Sequence, residues 1–188
     1  MKSEEKISEA IKAILLALDE DINRPGLVDT PIRVARAWKE MTRGSQEFPD
    51  PMPTFPSEFS GIIFRPNIPF SSMCEHHLLP YAGMIDFAYI SNGKVIGISK
   101  IIRIFRHYAA KLSMQEDLTE LLTKKFTEIV HPRGCAIRIH ALHSCESTRG
   151  IVQNGVPTVT LFFSGCFEND KSLVDQFFQL LTTSKHES

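Results

Sequence analysis

Two short segments of this 188-residue chain gather side chains able to bind a metal or move protons. The first is Cys74-Glu75-His76-His77, preceded by Ser71 and Ser72 and followed by Leu78-Leu79-Pro80. The second is His143-Ser144-Cys145, followed by Arg149-Gly150. Zinc takes about four ligands from thiolate, imidazole and carboxylate, and a catalytic zinc keeps one position for water. A cysteine and a histidine three apart, as Cys74 and His77 are, can share a metal from one turn. Cys145, at the end of a distant strand, can supply a third ligand. Three protein ligands and an open position make the catalytic pattern, whereas a structural site is closed by a fourth. Cys and His in short loops are also often merely buried or polar, but here both clusters carry both residue types. Cys135 and Cys166 read as small core residues at strand ends, and His107, His131, His140 and His186 as structural or solvated.

Composition bounds what else the chain can be. Its 21 basic and 22 acidic side chains give a formal net charge of -1, so no global attraction draws nucleic acid or an anionic membrane. An anionic ligand must then be held by a local basic cluster. Hydrophobic residues at 43% and charged residues at 23% are ordinary for a globular domain. No apolar run approaches the roughly 20 residues that span a bilayer, and the N-terminus does not read as a signal peptide. The expectation is a cytoplasmic protein whose four cysteines are reduced thiols or metal ligands.

The elements that must position these residues follow from periodicity. Residues 4–18 have helical spacing, and Asp29-Thr30-Pro31 opens a second helix that Gly44 closes. These form an N-terminal helical appendage over 1–47. Pro49, Pro51, Pro53 and Pro56 mark 48–60 as an extended connector. The remainder, 61–188, reads as the catalytic domain. Strands are predicted at Gly61–Phe64, Met84–Ile90 and Lys94–Ile98, the last two joined by a hairpin at Asn92-Gly93. Helices follow at about 99–112 and 115–130, then strands Cys135–Leu142 and Thr158–Phe163, then a last helix over 171–182. The class is α+β, an antiparallel sheet of about four strands interrupted by a helical pair. A sheet covered on one face only has a use for partners, so oligomerisation is expected.

The string SSMCEHHLLPYAG resembles the metal-site signature of GTP cyclohydrolase I. So do VIGISKIIRIFRHYAAKLSMQEDLTE, HSCESTRGI and the early DTPIRVARAW, in the family's order and at closely similar spacing from Ile7 to Leu181. The resemblance implies the tunnelling fold, in which four-stranded antiparallel sheets with paired helices join into a barrel. Two pentameric rings then stack into a homodecamer with active sites between subunits. It implies Zn2+ held by Cys74, His77 and Cys145, with His76 and His143 handling protons beside it. Arg33, Lys100, Arg103 and Arg149 resemble a triphosphate grip, and Ser99 the hydroxyl beside it, grouped with the catalytic residues. Glu116, next to Gln115, resembles the carboxylate that anchors the guanine edge, and both count as substrate-binding. A triphosphate carries about four negative charges, which calls for several convergent Arg and Lys groups in a near-neutral protein. The implied reaction is hydrolytic opening of the imidazole ring of GTP at C8, with release of formate and formation of 7,8-dihydroneopterin triphosphate. That product would enter tetrahydrofolate or other pterin biosynthesis.

Two points leave alternatives open. Glu146 stands where the family commonly carries an apolar residue, and its charge could shift the basicity of the zinc water or simply pair with a neighbouring base. The short N-terminal extension leaves no obvious room for a regulatory domain. The rival readings are a same-fold paralogue acting on another purine nucleotide, a reductase of a deazapurine nitrile, and a non-catalytic pterin-binding oligomer. Retention of both thiols and both histidines argues against the last two.

Overall fold

The computed structural model describes residues 3–48 and 51–184. His186 of the tail and Pro49 of the connector lie outside the described residues. The chain falls into two compact units, Met1–Arg43 and Gly44–Ser188. In the first, helix α1 (Ser3–Ala17) packs on α2 (Thr30–Met41), which has Pro31 in its first turn. Glu4 joins the two helices by ion pairs to Arg36 (3.0 Å) and Lys39 (3.7 Å).

The second unit holds the sheet. Strands β1 (Thr54–Pro56), β2 (Ile62–Cys74), β3 (Pro80–Ile90), β4 (Lys94–Ile96), β5 (Leu112–Ser113), β6 (Gly134–His143) and β7 (Thr158–Gly165) form two sheets. The main one runs β5-β2-β3-β6-β7, antiparallel throughout except for the two-residue β2–β5 ladder. Helices α3 (Ile98–Ala109) and α4 (Gln115–Val130) lie between β4 and β6 in sequence, as the pattern predicts. No helix among the described residues is long and apolar enough to cross a membrane.

Three expectations are corrected. The strand returning from Asn92-Gly93 does not pair with β3; it pairs with β1, Thr54 opposite Ile96, so the Pro-rich connector contains a strand of its own. Helix α3 already begins at Ile98, two residues beyond β4. β2 runs ten residues past Phe64 because a bulge between Arg65 and Ile68 absorbs Pro66 and Asn67, the latter at φ 55°. β2 is an edge strand over most of its length, which is also why Pro69 is tolerated.

The alternating pleat sends Ile85, Phe87 and Tyr89 of β3 and Ile137 and Ile139 of β6 to one face. There they meet Ile101, Ile104 and Phe105 of α3 and Leu118, Leu122 and Phe126 of α4. Phe87 sits at the centre, edge-on to Phe105 at 4.7 Å and to Phe126 at 4.6 Å between centroids. The other face is not wholly bare. Beyond the one-turn helix α6 (Cys166–Asn169), helix α7 (Lys171–Thr183), capped by the Asp170 carboxylate, seats Phe177 and Leu181 against Ala88 and Ala136, whose small side chains admit it. Beyond α7, Met84, Leu142, Val159 and Leu161 remain exposed on that face. Gly44 donates its N–H to the Ala110 carbonyl at 2.7 Å, and a Cβ there would collide with the carbonyl of His107.

One charged group is buried in the second face. Asp86 is 1% exposed and stands opposite Arg138, which donates Nε–H (2.9 Å) and Nη2–H (2.6 Å) to its Oδ2. Its Oδ1 accepts the Asn67 backbone N–H at 3.0 Å and so pins the bulge of β2. Asp86→Ala leaves Arg138 and that N–H without the carboxylate, and is expected to cost about 3–5 kcal/mol. Denaturant unfolding measures this; a loss below about 1 kcal/mol would show that the pair does not hold the bulge.

Candidate metal and catalytic site

The rows that form the core turn polar at one end of the sheet. On β2 the row Ile68-Phe70 continues as Ser72-Cys74; on β3 it ends at Tyr81, and on β6 at His143. Ser72 pairs with Tyr81 and Tyr81 with His143, so strand register alone sets these groups side by side. The N-terminus of α4 covers them and brings Met114, Gln115 and Glu116.

Cys74 and His77 share one tight turn. The Cys74 carbonyl accepts the N–H groups of His77 (3.4 Å) and Leu78 (2.9 Å), and the Cys74 N–H donates to Leu79 O at 2.9 Å. Leu78 takes the left-handed conformation, φ 54°, that reverses the chain there. Cys145 comes from the short helix α5 (Ser144–Ser147) directly after β6. Cys74 Sγ lies 3.6 Å from His77 Nδ1 and 4.0 Å from Cys145 Sγ, and all three ligand atoms fall within 4.8 Å of one another. A tetrahedral ion with bonds of about 2.3 Å to sulfur and 2.0 Å to nitrogen separates two sulfurs by about 3.8 Å, and sulfur from nitrogen by about 3.5 Å. The triangle fits one such ion. Burial first, and then the neighbouring Cys74, push the Cys145 thiol above its ordinary value. A cation held between the sulfurs reverses that cost by stabilising thiolate.

A pocket of about 230 Å³ opens on this triangle, lined by Cys74, His76, His77, Gln115, Glu116, His143, Cys145 and Glu146 among others. His143 stacks on Tyr81, centroids 4.4 Å apart and planes 5° from parallel, and its Nε2 is 2.9 Å from Gln115 Oε1. Burial holds its imidazole below the usual value, against the opposing charges of Glu146 and Glu116. Glu146, which sequence marks as a departure, therefore sits at the site. Tyr81 and Ser113 are also here, Tyr81 Oη 3.0 Å from Ser113 Oγ, and neither is marked as a site residue by its own sequence context. Alternation along β3 from Tyr89 is the signal that could have found Tyr81.

The basic residues are placed differently. Ser99, Lys100 and Arg103 lie on the first two turns of α3 and do not line this pocket. Arg149 follows α5 and acts on the Cys145 thiol by its charge, without lining the pocket. Arg33 belongs to the first unit, on α2, paired with Asp29 at 3.0 Å. Gln115, expected at the substrate, is 1% exposed, with its amide engaged by protein groups.

Comparison with known proteins bears on this arrangement. The sequence model of GTP cyclohydrolase I matches residues 7–182. A GTP cyclohydrolase 1 of Campylobacter curvus (strain 525.92) is 38% identical over 183 residues, covering 96% of this chain and 96% of that one. The GTP cyclohydrolase 1 of Hydrogenobaculum sp. (strain Y04AAS1) is 40% identical over 181 residues, 96% of this chain and 99% of the relative. That of Clostridium perfringens (strain 13 / Type A) is 37% identical over 186 residues, 97% and 100%. Among solved structures, an archaeosine synthase QueF-Like in the apo form aligns with 55% of this chain and 93% of its own at 17% identity and a TM-score of 0.44, too slight a likeness to bear on the fold. With a family model spanning nearly the whole sequence and relatives aligned over almost their full lengths, the chain belongs to the GTP cyclohydrolase I family.

Proposed function

We propose that this family member is zinc-dependent, opening the imidazole ring of GTP at C8 to release formate and form 7,8-dihydroneopterin triphosphate. The observation that carries the reading is the convergence of Cys74, His77 and Cys145 beside His76, His143 and Glu116 in one pocket. Two thiolates and an imidazole suit zinc better than the hard cations that take oxygen ligands. When bound there, zinc would supply a Lewis acid and a water of lowered pKa.

The chain's own residues do the rest. Glu116 presents a carboxylate to the guanine N1–H and exocyclic amine, a pair of donors that adenine lacks. His143 and His76 exchange protons with the purine ring as its C8–N bond breaks, imidazole being suited to transfer near neutral pH. Lys100, Arg103, Arg149 and Arg33 neutralise the triphosphate, with Ser99 beside them. A pocket of about 230 Å³ is below the ~300–1,000 Å³ of ordinary small-molecule sites, and the α3 bases lie outside it. This supports a site completed between subunits, in a tunnelling-fold barrel built as a decamer of two pentamers. Under this reading 1–47 is the helical appendage, 48–60 the connector and 61–188 the catalytic domain, acting in the cytoplasm.

Incubation of the zinc-loaded protein with GTP should yield formate and, after oxidation, fluorescent neopterin. Turnover of another purine nucleotide but not GTP would favour the paralogue. Cys145→Ala should drop zinc from about one per chain to near none while assembly persists; zinc still held stoichiometrically would remove Cys145 from the site. Glu116→Gln should lower kcat/KM for GTP by roughly 10- to 150-fold, and an unchanged value would move guanine recognition elsewhere. Sedimentation with parallel assay should find activity in the oligomer alone; fully active monomers would refute the shared site.

A further inference from the structure

Both polar atoms of the Gln115 side chain face protein groups. Its Nε2 donates toward the Ile139 carbonyl (3.3 Å), the Thr158 carbonyl (3.0 Å) and Thr160 Oγ1 (3.1 Å). Two of these are main-chain carbonyls, which can only accept. The amide therefore cannot be turned over without setting its oxygen against them. Thr119 adds to the lock through Thr160: its hydroxyl donates to the main-chain carbonyl of Gln115 at 2.7 Å and lies 2.7 Å from Thr160 Oγ1, leaving that oxygen to accept from the amide. With the NH2 end fixed, Oε1 is fixed as an acceptor, and the atom facing it at 2.9 Å is His143 Nε2. An acceptor opposite a ring nitrogen requires that nitrogen to carry the hydrogen.

We infer that Gln115 is a positioning residue, holding neutral His143 as its Nε2–H tautomer so that Nδ1 is the ring nitrogen left to accept and return a proton. This rests on the reading of His143 as a proton-handling group. Tyr81 stacked on the ring and the amide at its edge fix, between them, the plane, the rotation and the tautomer. Tyr81 is in turn held through Ser113 Oγ (3.0 Å), which lies 3.1 Å from Ser72 Oγ. An imidazole free to exchange tautomers would spend part of its time with Nδ1 already protonated and unable to act as a base. Gln115 thus affects the reaction through His143, without touching substrate.

The test is nitrogen-15 solid-state NMR on zinc-loaded protein labelled at histidine, with His143 identified by the resonance missing from His143→Gln. Wild type should show His143 protonated at Nε2 and bare at Nδ1 in the neutral form. Gln115→Met, close in volume but with no comparable acceptor, should show both tautomers. It should retain zinc and lose about 10²-fold or more in kcat with KM for GTP changed by less than about threefold. A wild-type His143 protonated at Nδ1 would overturn the inference, and needs no Gln115 variant. So would an unchanged tautomer in Gln115→Met, or a raised KM at constant kcat, which would make Gln115 a substrate-binding group. Failure of wild type to turn over GTP would instead overturn the reading of function, while the spectrum alone decides what Gln115 does to the ring.

Discussion

Everything at the site depends on the pairing register of three strands, β2, β3 and β6. Cys74 and Cys145 are 71 residues apart, yet their sulfurs are 4.0 Å apart because β3 lies between their strands in fixed register. Side chains alternate along a strand, so a slip of one residue between β3 and β6 would send His143 to the opposite face. The same slip would expose Ile137 and Ile139, which are fully buried against α3 and α4. The hydrophobic core therefore enforces the site geometry. The aromatic cluster around Phe87 and the Asp86–Arg138 pair, on opposite faces of β3, both hold this register.

The polar end of the core also explains how charge is managed in a chain of net charge -1. Burial and the neighbouring Cys74 hold the half-buried Cys145 thiol above its ordinary value, so its thiolate forms when a cation balances the charge. Around them the polar groups are linked: Ser72, Ser113 and Tyr81 on one side of His143, Gln115, Thr119 and Thr160 on the other. Such a network, satisfied by its own members, gives the imidazole a single orientation without a charged partner. Lys100 and Arg103 stand on α3 and do not line the pocket, whereas Arg149, after α5, is near enough for its charge to favour the Cys145 thiolate.

Residues with short-range logic were legible in the sequence. Cys74 and His77 lie three apart, and the turn that holds them is local, so their partnership could be proposed without a fold. Helices α3, α4 and α7 follow from their periodicity, and the strands β6 and β7 from runs bounded by Gly and Pro. What escaped the sequence is long-range. Nothing local to Lys94–Ile96 says that it pairs with Thr54–Pro56 and not β3, and the prolines of β2 mask a strand that only a bulge and an edge position permit. Gln115 shows the same limit at the site. Its neighbour Glu116 placed it with the substrate, but its four partners lie 24 to 45 residues away, and they alone give it a different task.

The claim on which the whole reading turns is that two sulfurs and one nitrogen of this chain share one zinc. X-ray absorption at the zinc edge of the loaded protein measures that shell directly. Two sulfurs at about 2.3 Å with nitrogen and oxygen completing four ligands are expected. Four sulfurs, or a shell with none, would contradict it.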